Sequence, residues 1–202
     1  QKLLFAEDTA RGFAFIELCR KRYDVIVMNP PFGATSLTTE PYLKKYYPNS
    51  RLDLAAVFVD RMLNMGSLSG QIGCISTRTI FFLTHYMTWR KEFLDKNRIR
   101  LFADLGNGVL DAMVETAAYI IDVNTSNPYS MVIRATKKEI KDKFILDTIR
   151  SIQTTTDNCD FFVVVTNKLK EISNYPFSYW VDEQTLNLFN KKRFKTKNRS
   201  AY

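Results

Sequence analysis

The residues with the clearest chemical potential are Asn29-Pro30-Pro31-Phe32. They follow directly on Tyr23-Asp24-Val25-Ile26-Val27-Met28, a continuous run rich in β-branched residues of the kind that forms a strand buried on both faces. Consecutive prolines cannot donate to a ladder, so the chain leaves the sheet at this point. The prolines stiffen the turn and leave carbonyls without a competing N–H inside it. Asn29 adds a side-chain amide oxygen, and Phe32 adds an aromatic face. Two acceptors beside a flat ring make a socket for a planar amino group, such as the exocyclic amine of a base stacked on the ring. A strand-ending Asn-Pro turn with a core Phe is the plainer alternative.

Other chemistries find little support. His85 is the single histidine, which excludes a histidine-based triad and a two-histidine metal site; it reads as a helix residue. Cys19, Cys74 and Cys159 are widely spaced with no CxxC pair, so they give neither a disulfide framework nor zinc-ligand spacing. No metal is expected. A reduced, cytoplasmic protein is the simplest reading.

The socket needs a scaffold, and the sequence supplies one. Residues 12–22 have the apolar spacing of a short helix, followed by the strand at 23–28. Residues 34–50 are polar and read as a long loop. From Asp53 to Met65 apolar residues recur at helical spacing (Leu54, Val57, Phe58, Met62, Met65), with Gly66 as the C-cap. A strand at 70–76, a helix at about 84–96 with Met87, Phe93 and Leu94 inward, and a strand near 99–105 come next. Val114–Val123 and Tyr129–Ala135 flank Asn124–Pro128 and read as a hairpin. A helical stretch at 137–150, a β-rich patch at 161–165 and a short helix at 182–190 complete the pattern. Strands alternating with helices imply an α/β sheet, mostly parallel, with an antiparallel hairpin at its edge. Such sheets place their sites where strands end.

With 202 residues, 46% hydrophobic and 25% charged, the chain has an ordinary globular composition. No apolar run approaches the ~20 residues of a membrane helix, so no membrane partner is expected. The chain begins Gln1-Lys2-Leu3 without a signal-peptide pattern, which reads as a piece of something larger. Lys191, Lys192, Arg193, Lys195, Lys197 and Arg199 carry most of the net charge of +8. That basic tail either touches phosphates or serves as a solvated linker, and charge alone does not choose.

The run Asp24-Val25-Ile26-Val27-Met28-Asn29-Pro30-Pro31-Phe32-Gly33 resembles the catalytic motif of S-adenosylmethionine-dependent amino methyltransferases. That motif occurs in enzymes modifying adenine in DNA, guanine in ribosomal RNA and glutamine in release factors. The downstream series narrows the resemblance: Asp53-Leu54-Ala55-Ala56-Val57-Phe58 begins 24 positions after Asn29, and Gly70–Ser76, Trp89–Leu94, Leu105–Leu110 and Thr116–Ile121 follow. Together they resemble gamma-type DNA adenine-N6 methyltransferases, closest to the PglX-like methylases of phage-exclusion systems and fused restriction–modification enzymes. Tyr175-Pro176-Phe177 with Tyr179-Trp180 resembles the stretch those proteins carry before a target-recognition region.

The resemblance implies the C-terminal part of a Rossmann-like methyltransferase sheet. Residues 1–135 would be the catalytic half, and residues 136–202 a helical and β extension with a basic linker. It implies Asn29, Pro30, Pro31 and Phe32 as catalytic residues, S-adenosylmethionine as cofactor, double-stranded DNA with a flipped adenine as partner, and other subunits of a bacterial defence or restriction system. Ala103-Asp104-Leu105-Gly106-Asn107-Gly108 mimics a glycine-rich cofactor loop, but a cofactor loop should open a helix, and the residues after Gly108 read as β. The cofactor loop is therefore expected upstream of Gln1, and the 202-residue chain alone is expected to be inactive. The Asp53-Leu54 pair would lie near the active-site wall, although a helix N-terminal Asp is the simpler reading. Tyr42, Lys44, Lys45 and Tyr46, with Tyr47, interleave aromatic and basic types beside the entry for a flipped base and are candidate DNA contacts. Arg78, Arg90, Lys91, Arg98 and Arg100 read as a solvated helix face rather than a DNA cleft. An RNA guanine or protein glutamine methyltransferase, and a non-catalytic DNA-binding module, remain as alternatives.

Overall fold

The computed structural model describes residues 2–96, 98–109, 113–152 and 160–190; Cys159 and the basic tail from Lys191 lie outside the described residues. The chain runs α1 (Lys2–Arg20), β1 (Tyr23–Met28), α2 (Glu40–Tyr46), α3 (Leu54–Met65), β2 (Gly66–Thr77), α4 (Met87–Asp95), β3 (Ile99–Gly106), β4 (Thr116–Asp122), β5 (Tyr129–Arg134), α5 (Lys141–Ile152), β6 (Phe161–Val165) and α6 (Glu183–Asn190). Single 3-10 turns occupy Arg78–Phe81, Thr84–Tyr86 and Thr166–Glu171. The six strands form one sheet in the order β1-β2-β4-β3-β5-β6. The architecture is the expected Rossmann-like α/β arrangement.

Two details differ from the sequence expectation. The sheet is mixed: β1 with β2 and β3 with β5 are parallel, while β4 is antiparallel to both β2 and β3, and β5 to β6. The hairpin of β4 with β5 does not form. β2 and β3 occupy both edges of β4, so no edge remains for β5, which crosses to the far side of β3. Sequence adjacency favours a hairpin, but the burial of β4 on both faces fits a central strand.

The main core lies on one face of the sheet. Trp89, Phe81, Phe102, Tyr119, Phe177 and Tyr179 pack there with Val59 of α3 and Phe93 and Leu94 of α4. Edge-on contacts join Phe81 to Phe102, Tyr119 and Trp89 at 4.9, 4.8 and 5.7 Å, geometry that suits the aromatic quadrupole. Met87, expected inward, is exposed at the first residue of α4. On the opposite face Phe144 and Ile145 of α5 pack on Ala103, Leu105 and Ala135. The sheet and the core continue across position 135 without a break: β6 extends the sheet, and Leu169, Phe177 and Tyr179 belong to the main core.

β1 is the outer strand, and among the described residues it pairs with β2 alone. Ile26 and Met28 pack against the core, whereas Val25 and Val27 on the other face are exposed. No helix of the described residues is long and apolar enough to cross a membrane.

Candidate active site

The Asn29–Phe32 turn follows the end of β1, where the sequence places it. β1 ends at Met28, which pairs with Cys74 of the parallel strand β2, and the chain leaves the sheet at Asn29. Asn29 and Pro31 are exposed, Pro30 is buried, and Phe32 is half-buried. A buried proline between two exposed residues anchors the turn and leaves the Asn29 amide presented to solvent. Gly33 closes the motif with φ of +120°, a backbone conformation that an L side chain rarely adopts.

Asp53 lies behind the turn. It is the N-cap of α3, its Oδ1 accepting the Ala55 N–H at 2.8 Å, as the simpler reading expects. The same oxygen also accepts the Gly33 N–H at 3.3 Å, and the Leu54 N–H donates to the Gly33 carbonyl at 3.1 Å. Burial raises the Asp53 pKa, and the two backbone donors oppose that rise.

The candidate DNA contacts are not on a loop. Residues 40–46 form α2, started by Pro41 in its first turn and anchored by the buried Leu43. This helix is too short for sequence periodicity to declare. It places Tyr42 and Tyr46 on one face with ring centroids 4.7 Å apart, both more than half exposed. Lys45 Nζ lies 5.0 Å above the Tyr46 ring, and Lys44 is exposed beside it. The bonds from Gly33 to Asp53 and Leu54 close the base of the excursion that carries α2, with the Asn29–Phe32 turn immediately before it.

Beside the end of β2, Cys74, Ser76 and Tyr119 form a buried polar group, with Ser76 Oγ 2.8 Å from the Tyr119 hydroxyl. Burial pushes the Cys74 thiol up to about 11, which leaves almost no thiolate near neutrality. We expect Cys74 to resist iodoacetamide at pH 7.5 in the folded protein and to react once denaturant unfolds it; peptide mass spectrometry of the two samples checks this.

The arginines read as a solvated face are not one. Arg90 is fully buried in the core, with 2% of its surface exposed. Arg78 is pinned between two acids, its Nη1 donating to Glu115 Oε2 at 2.7 Å and its Nη2 to Asp104 Oδ2 at 2.8 Å. Its guanidinium also lies 4.5 Å from the Phe82 ring centroid. Asp104 is inaccessible to solvent and also accepts the Tyr179 hydroxyl at 2.8 Å. Burial raises the Asp104 pKa, with Tyr179 and Arg78 opposing it. Sequence reasoning missed this group because its members come from four distant segments.

The glycine-rich segment after β3 is not a cofactor cradle of the helix-opening kind. Gly106 has φ of +67° and Gly108 +78°; a Cβ on Gly106 would meet the Thr136 backbone at 3.2 Å. The next described element is β4 rather than a helix. Among the described residues, no group of three or more His, Cys, Asp or Glu side chains is placed to hold a metal ion.

The model of the Eco57I restriction-modification methylase family matches residues 3–109, more than half of the chain, and spans the socket, Asp53 and β1 to β3. The chain belongs to this family. This Eco57I-family chain is 27% identical over 181 residues to the adenine-specific methyltransferase BrxX of Escherichia coli O9:H4 (strain HS), a match covering 85% of this chain and 14% of that protein. It is 24% identical over 191 residues to the adenine-specific methyltransferase PglX of Lacticaseibacillus casei (strain Zhang), covering 88% of this chain and 15% of that protein. The chain thus spans about a seventh of the length of these two relatives. In structure it is similar to the type I restriction-modification system methyltransferase subunit from Streptococcus thermophilus, with a TM-score of 0.61 and 16% identity over 80% of this chain and 39% of that one. That likeness establishes the fold of this Eco57I-family chain.

Proposed function

We propose that the protein containing this chain methylates the N6 amine of adenine in DNA, within a bacterial restriction–modification or phage-defence system. The observation that carries this reading is the Asn29-Pro30-Pro31-Phe32 turn at the carboxyl end of β1, with its exposed amide and buried proline, in a member of the Eco57I family. The printed names of the BrxX and PglX relatives support it.

The adenine amine is a poor nucleophile because its lone pair is delocalised into the ring. The Asn29 side-chain oxygen and the Pro30 carbonyl accept its two hydrogens and draw the nitrogen toward a tetrahedral, more nucleophilic geometry. Phe32 stacks on the base, which leaves the duplex at a cost of a few kcal/mol. What these groups contribute is positioning. S-adenosylmethionine is the methyl donor this reading calls for. A cytoplasmic enzyme acting on double-stranded DNA, together with other subunits of its system, completes the proposal.

Tyr42, Lys44, Lys45 and Tyr46 contact DNA in this reading, the tyrosines by stacking and the lysines through phosphates. Replacing both Lys44 and Lys45 by Gln should reduce the slope of log affinity against log salt by about 1.8 if each contacts one phosphate. Titrations at several salt concentrations check this, and an unchanged slope removes α2 from the interface.

The deciding experiment incubates the full-length protein and methyl-labelled S-adenosylmethionine with unmethylated DNA, with RNA and with protein in parallel, then digests the DNA to nucleosides. Label in N6-methyladenine supports the proposal. Label that appears instead in RNA or protein moves the activity to a different amine. Tight DNA binding without label would make the chain part of a binding module.

A further inference from the structure

A helix N-cap needs only a nearby N–H, yet Asp53 also reaches back across 20 positions of sequence to the exit of the socket turn. The contact is reciprocal. Gly33 donates its N–H to the Asp53 carboxylate and accepts the Leu54 N–H at its carbonyl, so both of its backbone groups are held by consecutive residues at the start of α3. Gly33 is also the residue whose φ of +120° ends the turn. Asp53 itself is buried, with 7% of its surface exposed, and α3 is packed into the core through Ala55, Ala56 and Val59. A rigid element therefore grips the one residue of the motif with the most permissive backbone. The excursion whose base this grip closes carries α2 with Tyr42 and Tyr46.

We propose that Asp53 is a positioning residue of the active site: its carboxylate clasps Gly33 to the start of α3 and so fixes the Asn29–Phe32 socket and the foot of the α2 excursion in one arrangement. This rests on the methyltransferase reading for its effect on turnover, but not for its effect on the turn. Capping and clasping use the same oxygen and separate by reach. Serine caps helices well, but its shorter side chain does not also span to Gly33. Asparagine retains an acceptor oxygen at the same distance from the backbone.

The test compares Asp53→Ser and Asp53→Asn in the full-length protein by methylation kinetics, thermal melting and amide hydrogen exchange read by mass spectrometry. The clasp predicts that Asp53→Ser melts close to the wild type and keeps its KM for S-adenosylmethionine. Its kcat should fall on the order of tenfold or more, and exchange should quicken in the peptide containing Gly33 but not in α3. Asp53→Asn should restore both turnover and protection. Wild-type turnover by Asp53→Ser, or exchange that quickens equally in α3 and in the turn, would overturn the clasp and leave a helix cap. If the wild type itself transfers no methyl group, the methyltransferase reading fails, and hydrogen exchange alone decides whether Asp53 holds the turn.

Discussion

Replacing Asn29 by Ala should lower kcat for methyl transfer to adenine by on the order of 10²–10³-fold, the range seen when one preorganised polar group facing a developing charge is removed. The loss should fall on kcat rather than on DNA affinity. In the proposed reaction positive charge grows on the amine as the nitrogen attacks and its hydrogens become stronger donors, so the Asn29 oxygen should bind the transition state more tightly than the ground state. The acceptor proposed at Pro30 is a backbone carbonyl that no substitution can delete, which leaves Asn29 as the acceptor open to a clean test. The side chain is exposed, so its truncation opens no core cavity and the melting temperature should hold. Steady-state kinetics with a DNA-binding titration measure the split. Equal activity in the variant would show that the amide does not touch the amine.

Replacing Arg90 by Met should cost about 3–5 kcal/mol of folding stability, because buried backbone carbonyls that lose their donor cost about 1–3 kcal/mol each. The guanidinium donates to Tyr175 and Ile80 carbonyls at 2.9 Å each, to Leu83 at 2.6 Å and to Asn174 at 2.8 Å. All four acceptors are backbone oxygens, and burial pushes the Arg90 pKa down to about 10. Asn174 and Tyr175 both hold positive φ, at 67° and 53°, a conformation that costs a non-glycine residue roughly 1–2 kcal/mol. Arg90 thus secures two strained positions to the turn after β2. Arg90→Lys should rescue little, since one ammonium cannot reproduce the planar fork that reaches two segments at once. Urea denaturation of both variants reads the effect, and a loss under 1 kcal/mol would show that water replaces the guanidinium.

Sequence alone made the Asn29–Phe32 turn legible because strand and breaker fall in adjacent residues. The β-branched run Val25–Val27 has no rival as a strand, and Pro30-Pro31 marks its end. α3 was equally plain, with a 3.6-residue apolar period and Asp53 at its start. What could not be read were relations between distant segments. The clasp joins Gly33 to Asp53, and Asp104 collects Arg78 from 26 positions before it and Tyr179 from 75 positions after it. Arg90 looked like one charge among several on a helix, because a buried arginine satisfied by carbonyls leaves no complementary acid in the sequence. The placement of β4 was hidden for a related reason: local turn chemistry at Asn124–Pro128 suggests a hairpin, whereas the edges available to β5 are set by β2 and β3, which start 63 and 30 residues before it.

The position of β4 also imposes an order on folding. β2 and β3 follow one another in sequence but never pair; each waits for a strand made after both of them. During synthesis, the half of the sheet bearing Asn29 can pair β1 with β2 early, but it stays unjoined to β3 until residue 122 has left the ribosome. Pairing of β2 directly with β3 in the interval would exclude β4 and trap the chain. Long-range closure of this kind slows folding. Truncation between Gly106 and Thr116 should therefore leave the β1–β2 pair beside a lone β3 without a partner, rather than a smaller version of the same protein.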